Sequence, residues 1–277
     1  ITTRLVGSEM CIRDRFMFRY SDKGECADKD VLSFAIASEI AAGRGTEHGG
    51  VAFDASGVGR ERLEEAYSAY VKRYRAVGMD IAEQAMEIAP AAHTSLGGVY
   101  ARPDCSTSVE GLFVCGETLG GLHGANRIGG NAGLETMVFG RRAGCSAAAY
   151  MDTFSSEPAD CTDEISDAAA TVNIDALRAE LTKIVGGALG VIREAGKLEQ
   201  AKTELERMLE QIPESGCYAQ QRLRNDTLTA YAVTLAALER KTSTGCHVRT
   251  DSAGEPEKYR VNIRCENGRA VPRRTEI

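Results

Sequence analysis

The sequence predicts a mixed fold of the α+β or α/β class, followed by an antiparallel bundle of three helices. Residues 93–117 alternate turn-forming residues with short apolar runs, which is typical of strands joined by tight turns. Residues 177–238 contain three successive windows in which apolar residues recur every three or four positions. That spacing indicates amphipathic helices, and short connections between them favour an antiparallel bundle.

The part of the chain before the bundle combines long helices with short strands. Apolar spacing predicts helices over Val31–Ala42, Arg60–Ala76 and Leu134–Tyr150, and strands over residues 49–56, Val99–Ala101 and Leu112–Cys115. The last of these helices is rich in Ala and Gly, so we expect it to pack closely against a sheet.

The second half begins with residues 152–173, which are acidic and rich in Ser and Ala and are interpreted as a linker. The three bundle helices are marked by apolar positions over Leu177–Ile192, Leu198–Ile212 and Leu228–Leu238. Asn225 or Asp226 is expected to lie near the N-cap of the third helix, because both residue types favour that position. The tail, residues 251–277, is polar with one strand-like run, Tyr259–Ile263.

Composition narrows the class of function. The chain has 277 residues and a net charge of −7, which disfavours nucleic acid as a partner because nucleic acid is a polyanion. No run of about 18 apolar residues occurs, so no membrane-spanning helix is predicted. The nine cysteines are scattered without CxxC spacing, and the four histidines show no paired spacing. We therefore expect reduced thiols, a cytoplasmic location and no bound metal.

The N-terminus differs in character from the rest of the chain. It lacks an initiator Met, and EMCIRDR at Glu9–Arg15 resembles the translation of a transposase end sequence used to prepare DNA libraries. Residues 1–15 are therefore interpreted as a sequencing scar, with an irregular natural N-terminus as the alternative. The scar interpretation predicts that the natural protein begins further upstream.

Candidate chemistry is concentrated between His93 and Gly144. An apolar run ends at Glu117, whose carboxylate can accept hydrogen bonds from sugar-like hydroxyls. The segment Gly129–Gly133 precedes a helix, and the first N–H groups of a helix suit an anion. Arg127 presents a planar fork that matches a carboxylate. Taken alone, each residue fits an ordinary surface position, and His93 fits a structural one; their order along the chain is what indicates a site.

That order is HTSLGG at 93–98, GE at 116–117 and HGANRIGGN at 123–131. It resembles the C-terminal flavin-binding part of the succinate dehydrogenase/fumarate reductase flavoprotein family, which includes L-aspartate oxidase. Further segments are similar to that family: FMFRY at 16–20, residues 31–45, residues 184–193 and TGCHVRTD at 244–251. The resemblance covers most of residues 16–260.

The resemblance implies an FAD enzyme that interconverts succinate and fumarate, or acts on a close analogue among C4 dicarboxylates. It also implies a domain order. Residues 16–92 would be the C-terminal part of a capping domain, 93–151 the C-terminal part of an FAD-binding domain, 152–173 a linker, 174–250 a helical C-terminal domain and 251–277 a polar tail.

The resemblance assigns binding roles to six residues between His93 and Gly144. FAD would be bound by Glu117, Asn131, Ala132 and Gly133, with Ala132 and Gly133 at a helix start beside the flavin ring. The carboxylates of the substrate would be bound by His93 and Arg127. Catalysis would be hydride transfer between the flavin and a substrate carbon, with a proton moved on the other side.

The sequence departs from the family at the proton-transfer residue. The family has an Arg at the start of the capping-domain helix, and Lys29 occupies that position between Asp28 and Asp30. A lysine can donate a proton but cannot form the same fork with a carboxylate. Lys29 is therefore the candidate catalytic residue. The alternatives are an exposed helix residue without a role, a member of the family that acts on something else, or a non-catalytic relative whose fold serves binding or assembly.

A second departure is that no GxGxxG motif follows a strand near the N-terminus. The resemblance places that half of the FAD site upstream, so we expect this chain alone to bind FAD poorly and to be inactive. The family also implies an iron–sulfur protein as partner, and a position at the inner face of a membrane through partners. L-aspartate oxidase, which would react with oxygen or fumarate, is the alternative enzyme; the triplet Gly129-Gly130-Asn131 favours the reductase.

Overall fold

The computed structural model describes residues 4–6, 15–153, 170–252, 254–255 and 258–276. The chain divides into two compact units, residues 1–92 and residues 93–277. Most of the predicted N-terminal scar and of the predicted linker lies outside the described residues, so both stay predictions. Within the described residues, every helix is too short or too polar to cross a lipid bilayer.

The first unit is a small antiparallel sheet with two helices. Its strands, in spatial order, are β1 (Arg4–Val6), β2 (Val51–Asp54) and β3 (Met86–Ile88), and its helices are α1 (Lys29–Ala41) and α2 (Arg60–Ala76). The expected helix over residues 60–76 is confirmed at both ends, since glycines lie just outside it at Gly59 and Gly78. Phe16 and Met17 are fully buried in a core that includes Ala35 and Val51.

A buried carboxylate locks α1 to the FMFRY segment. Glu39 is 1% exposed and accepts hydrogen bonds from the Tyr20 hydroxyl at 2.7 Å and from the Arg19 guanidinium at 3.1 Å. Arg44 donates two further bonds to it, at 2.7 and 3.0 Å. The Arg44 hydrogen bonds are the main reason that the pKa of Glu39 is lowered, although burial opposes the shift. The buried negative charge is therefore compensated by its hydrogen-bond donors.

The second unit opens with a close contact between two loop segments. The Val99 N–H donates to the Thr118 carbonyl at 2.8 Å, and the Gly120 N–H donates to the Val99 carbonyl at 3.0 Å. A Cβ atom on Gly98 would lie 2.2 Å from the Thr118 oxygen, and one on Gly120 would lie 2.8 Å from the Gly98 oxygen. Only glycine permits this approach of the two backbones.

The strands expected over Val99–Ala101 and Leu112–Cys115 are wrong. The first region forms a single parallel bridge, Val99 with Leu119, and the second a single antiparallel bridge, Ser106 with Phe113. Turns lie beside both regions and stop a ladder from extending: residues 103–104 turn after the first, and the second lies between Gly111 and Gly116, where φ is +75° and +70°.

Helices dominate the rest of the second unit. They are α3 (Asn131–Thr153), α4 (Ile174–Ala188), α5 (Ala195–Gln211) and α6 (Tyr218–Glu239). The last three pack around a core that includes Leu198, Leu205, Met208 and Leu223. Arg207, near the end of α5, pairs with Glu180, in the first half of α4, so the predicted antiparallel bundle is confirmed.

The third bundle helix starts earlier than expected. Asn225 and Asp226 lie inside α6, whose N-cap is Cys217. The reason is tertiary: Gln220 is 1% exposed and donates to the Ser215 carbonyl at 2.8 Å, while Arg224 donates to the Ile212 carbonyl at 2.6 Å. These polar side chains satisfy neighbouring backbone groups, so a polar run that favours a helix start becomes helix interior.

Short strands complete this unit. Strand β4 (Ile192–Arg193) pairs in parallel with β5 (Val248–Arg249), and β6 (Tyr259–Glu266) forms an antiparallel hairpin with β7 (Arg269–Glu276). The Tyr259 ring is buried against two guanidinium groups, those of Arg240 and Arg274, at 4.6 and 4.8 Å from the ring centroid. The ring therefore joins the hairpin to the bundle through cation–π contacts.

We expect Glu39→Ala to destabilise the first unit by about 2–3 kcal/mol, because several donors lose a buried acceptor. In the wild-type protein, ionised Glu39 contributes fully to the free energy of unfolding above the pKa of a glutamate in the unfolded chain, about 4.3. This contribution is lost as the pH falls through the lower pKa of Glu39 in the folded protein. Denaturant unfolding at neutral pH measures the effect. Glu47→Ala is the control, since the Glu47 side chain is 85% exposed, and equal stability of the two variants would contradict the prediction.

Gly98→Ala is expected to push apart the two loop segments that contain Val99 and Thr118, because the new methyl group would overlap the Thr118 carbonyl. The free energy of unfolding should fall by about 1–3 kcal/mol. Faster hydrogen exchange at the Val99 and Gly120 amides is the measurement. Gly97→Ala is the matched control, since a Cβ atom there meets nothing within 4 Å among the described residues. Unchanged exchange in Gly98→Ala would show that the contact does not depend on glycine.

Candidate functional site

Residues 123–130, which we call the Arg127 loop, lead directly into α3. The loop turns at Gly124 and Gly130, where φ is +60° and +86°, values that favour glycine. Helix α3 begins at Asn131, three residues before the start that apolar spacing predicts. The loop therefore ends directly at the N-terminus of α3, which places Arg127 four residues before the first helical residue.

A side-chain hydrogen bond fixes the start of the Arg127 loop to α3. His123 Nε2 lies 2.9 Å from Glu135 Oε2, and the two side chains are 15% and 7% exposed. Glu135 Oε1 is buried without a hydrogen-bond partner in the described part of the chain. Neither residue is among those predicted from the sequence. The pairing could have been suspected from the sequence, because the motif HGANRIGGN begins with His123 and Glu135 lies near the start of the helix that follows it.

Arg127 carries a polar atom that needs an acceptor. Its Nε is buried and has no hydrogen-bond partner among the described residues, while its Nη1 donates weakly to the Ile128 carbonyl at 3.4 Å. An unsatisfied buried donor costs about 1–3 kcal/mol. The side chain is therefore suited to an anionic acceptor supplied by a ligand, as a carboxylate would be.

Glu117 lies close to both predicted substrate-binding residues. Its Oε1 accepts the Ser95 N–H at 2.9 Å. This bond is the main cause of its lowered pKa, followed by a hydrogen bond from the Thr94 side chain. The nearby side chains of His93 and Arg127 lower the pKa of Glu117 further. The fold thus brings Glu117, His93 and Arg127 within electrostatic reach of one another, although 34 residues separate His93 from Arg127 in the sequence.

The start of α3 is open and keeps its positive partial charge. No acidic residue lies in its first turn, so the N–H groups of Asn131, Ala132 and Gly133 are not neutralised by a carboxylate of that turn. A Cβ atom on Gly129 or Gly133 would meet nothing within 4 Å among the described residues. Gly129 and Gly133 therefore border open space within the described part of the chain.

These residues fit the flavin that the sequence predicts. The exposed Glu117 carboxylate can accept hydrogen bonds from hydroxyl groups. The Asn131 N–H donates only weakly to the Ile128 carbonyl, at 3.4 Å, so the α3 N-terminus can offer its N–H groups to a carbonyl or an anionic ring edge. We expect Asn131, Ala132 and Gly133 to hold that edge. Their individual roles stay predictions.

Lys29, the predicted proton donor, belongs to the first unit. It is the first residue of α1 and is exposed. Asp28 forms the N-cap without a side-chain cap hydrogen bond, and Asp30 Oδ1 is buried with no hydrogen-bond partner within the described chain. Lys29 therefore has the exposure that proton exchange with water requires, and its role stays a prediction.

One face near the site is apolar and exposed. Ile128, Leu134, Met137 and Val138 are 74%, 65%, 78% and 45% exposed. The sequence predicts close packing of α3 against a sheet, whereas within the described residues the main neighbour of α3 is the short turn Gly116–Thr118. Adjacent exposed apolar side chains of this kind mark a surface that binds another surface.

Comparisons with known proteins identify the family. A family described as "FAD binding domain" matches residues 13–132, and one described as "Fumarate reductase flavoprotein C-term" matches residues 178–262. Among solved structures, the chain is similar to Mycobacterium smegmatis Sdh1 in complex with UQ1, with a TM-score of 0.75 at 28% identity over 99% of this chain and 50% of that one. The fold is also that of FrdA from E. coli quinol fumarate reductase, with a TM-score of 0.82 at 22% identity over 99% and 54% of the two chains.

Curated relatives belong to the same group of flavoproteins. The chain is 36% identical to an FAD-dependent oxidoreductase of Methanocaldococcus jannaschii, over 91% of this chain and 49% of that protein. It is 37% identical to a fumarate reductase (CoM/CoB) protein of Methanothermobacter marburgensis, over 86% and 47%. It thus spans about half the length of these two relatives. It is 35% identical to an L-aspartate oxidase of Rhodospirillum rubrum, over 86% of this chain and 82% of that protein. The chain therefore belongs to the succinate dehydrogenase/fumarate reductase flavoprotein family, which includes the L-aspartate oxidases and uses FAD as its cofactor.

Proposed function

We propose that this chain supplies the substrate-binding part of an FAD-dependent oxidoreductase that interconverts succinate and fumarate. One observation carries the proposal: Arg127 holds a buried Nε, unpartnered among the described residues, in a loop that ends at an open helix N-terminus. A dicarboxylate provides the acceptor that this nitrogen lacks. Fumarate and succinate carry a carboxylate at each end of a four-carbon chain, so a second cationic or polar group can hold the other end.

Each residue of the site contributes a separate part of the chemistry. When bound, FAD supplies the hydride donor or acceptor. Arg127 binds one carboxylate through its guanidinium fork, and His93 donates a hydrogen bond to the other. The α3 N-terminus stabilises negative charge on the flavin ring edge. In fumarate reduction Lys29 delivers a proton from its Nζ to the substrate carbon, and in succinate oxidation it takes that proton back.

The apolar surface formed by Ile128, Leu134, Met137 and Val138 supports a site completed by further protein. Such a surface is typical of one that packs on another element, and the relatives with about twice this length are consistent with a missing half of the FAD site. We therefore propose that this chain alone binds FAD poorly and is inactive. An iron–sulfur protein is proposed as the electron-transfer partner, docking on the helical domain or the C-terminal hairpin.

L-aspartate oxidation is the second candidate function. It is favoured by the match to the Rhodospirillum rubrum L-aspartate oxidase, of which this chain covers 82%. Aspartate is also a C4 dicarboxylate, so Arg127 and His93 would hold it in the same way. The two activities differ in the electron acceptor, because the oxidase would pass its electrons to oxygen or fumarate without a partner protein.

The decisive experiment is a chimera in which residues 16–277 replace the matching half of the Methanothermobacter marburgensis relative. Its bound FAD is measured from the flavin absorbance, and its turnover is measured with fumarate and a reduced viologen, and separately with aspartate and oxygen. FAD binding with fumarate turnover supports the first proposal, and aspartate oxidation supports the second. FAD binding without either turnover would favour a non-catalytic relative.

In this chimera, Arg127→Lys is expected to lower kcat/KM for fumarate about 100-fold, equivalent to about 2.7 kcal/mol, because an ammonium cannot replace the planar fork. Steady-state kinetics at constant FAD content provide the measurement. Arg141→Lys is the control, since Arg141 is an exposed arginine of α3. Wild-type kinetics in Arg127→Lys would exclude this arginine from substrate binding.

Lys29→Ala is expected to lower kcat for fumarate reduction by about 10²–10⁴-fold while KM changes little, since a general acid acts in the chemical step. Lys29→Arg, which restores the family residue, should keep the activity. Lys23→Ala, at another exposed lysine of the first unit, is the control. Full turnover in Lys29→Ala would place the proton donor elsewhere.

A further inference from the structure

The helical domain touches the Arg127 loop through a tight turn. Residues 244–247 form this turn: the Thr244 N–H donates to the His247 carbonyl at 2.9 Å, and the His247 N–H donates back to the Thr244 carbonyl at 3.0 Å. The Cys246 N–H, at the tip, donates to the Ala125 carbonyl at 2.9 Å. The Cys246 thiol lies 3.6 Å from Asn126 Oδ1 and donates weakly to it. Two consecutive residues just before Arg127 are therefore held by the tight turn.

Gly245 makes this contact sterically demanding. Its φ is +51°, a value that side-chain-bearing residues rarely adopt. A Cβ atom at this position would lie 2.4 Å from the Ala125 oxygen and 2.9 Å from the Ala125 Cβ. Any side chain on Gly245 would therefore push the Arg127 loop away from the tight turn.

Buried polar groups fix the tight turn to the bundle. His247 is 8% exposed; its Nε2 donates to the Arg240 carbonyl at 3.0 Å, and its Nδ1 accepts from Arg193 at 2.8 Å. Burial, with help from Arg193, lowers the pKa of His247 to about 4, so the ring is neutral in this arrangement. Arg249, also 8% exposed, donates to the Ala237 carbonyl at 3.1 Å. The tight turn is thus a rigid projection of the end of α6.

We propose that Gly245 and Cys246 are positioning residues for Arg127, so that the helical domain sets the geometry of the substrate site. The Arg127 loop is held at three points: at its start by the His123–Glu135 pair, in its middle by the tight turn and at its end by α3. The middle contact lies nearest to Arg127, and of these three attachments, seen among the described residues, it is the one that comes from the helical domain. The importance of this positioning for catalysis rests on the proposed role of Arg127 in substrate binding.

The test is nitrogen-15 NMR of the 277-residue chain, comparing wild type, Gly245→Ala and Gly268→Ala. Gly268→Ala is the matched control, because Gly268 also has a positive φ, +74°, and a Cβ atom there meets nothing within 4 Å among the described residues. In Gly245→Ala we expect the Cys246 amide and the Arg127 Nε–H to exchange with water at least about tenfold faster. The amides of Leu205 and Leu223 in the bundle core should keep their wild-type rates, as should every one of these groups in Gly268→Ala.

Wild-type exchange at Cys246 and Arg127 in a folded Gly245→Ala chain would overturn the proposal. If that variant does not fold, Cys246→Pro is examined instead, since it removes the N–H that donates to Ala125. In that variant the Arg127 Nε–H alone is read, and a wild-type exchange rate there would overturn the proposal. Fumarate titration of the same samples should show a Kd about tenfold weaker in the positioning variant alone. The exchange rates are measured without fumarate and do not depend on its binding. A wild-type chain that did not bind fumarate would therefore contradict the proposed function but not the positioning role.

Discussion

The close contact between the backbones at Gly98 and Gly120 is the constraint on which the candidate site depends. The two hydrogen bonds that join Val99 to Thr118 and Gly120 fix the segment after His93 against the segment after Glu117. Because a single methyl group on Gly98 would collide with the Thr118 carbonyl, the contact admits no side chain. This approach of the two loops places Glu117 close enough to His93 and Arg127 for their side chains to lower its pKa.

Three further contacts fix the Arg127 loop and so define the geometry of the candidate site. His123 and Glu135 hold the loop start, the open α3 N-terminus terminates the loop, and the Gly245–Cys246 turn supports its middle. Loops that carry binding residues are precise only when a rigid scaffold supports them. In this chain the scaffold is shared between α3 and the helical bundle, so the stability of the bundle and the geometry of the site are coupled.

Much of this arrangement could be predicted from the sequence, because its signals are local. Strong apolar periodicity between Gly59 and Gly78 predicts α2 at both ends, and the glycine-rich motif before Asn131 indicates a helix start with an exposed N-terminus. The start of α6 was missed because polar residues such as Gln220 and Arg224 add no apolar periodicity; in the structure both donate to backbone carbonyls of the turn after α5. The expected strands at 99–101 and 112–115 were also wrong, because each region forms only one isolated β-bridge with a distant part of the same chain in place of a ladder. The pairings within the site were equally inaccessible, since nothing local links His123 to Glu135 and 120 residues separate Asn126 from Cys246.

The most direct test of the account is the Arg127 Nε–H resonance of the chain during titration with fumarate. Because the Arg127 Nε is buried without a hydrogen-bond partner among the described residues, a preformed carboxylate site predicts a saturable shift of this resonance with fumarate. The shift should be much weaker with crotonate, which has the same carbon skeleton and only one carboxylate. No shift with fumarate, or an equal shift with crotonate, would contradict the claim that this loop recognises a dicarboxylate.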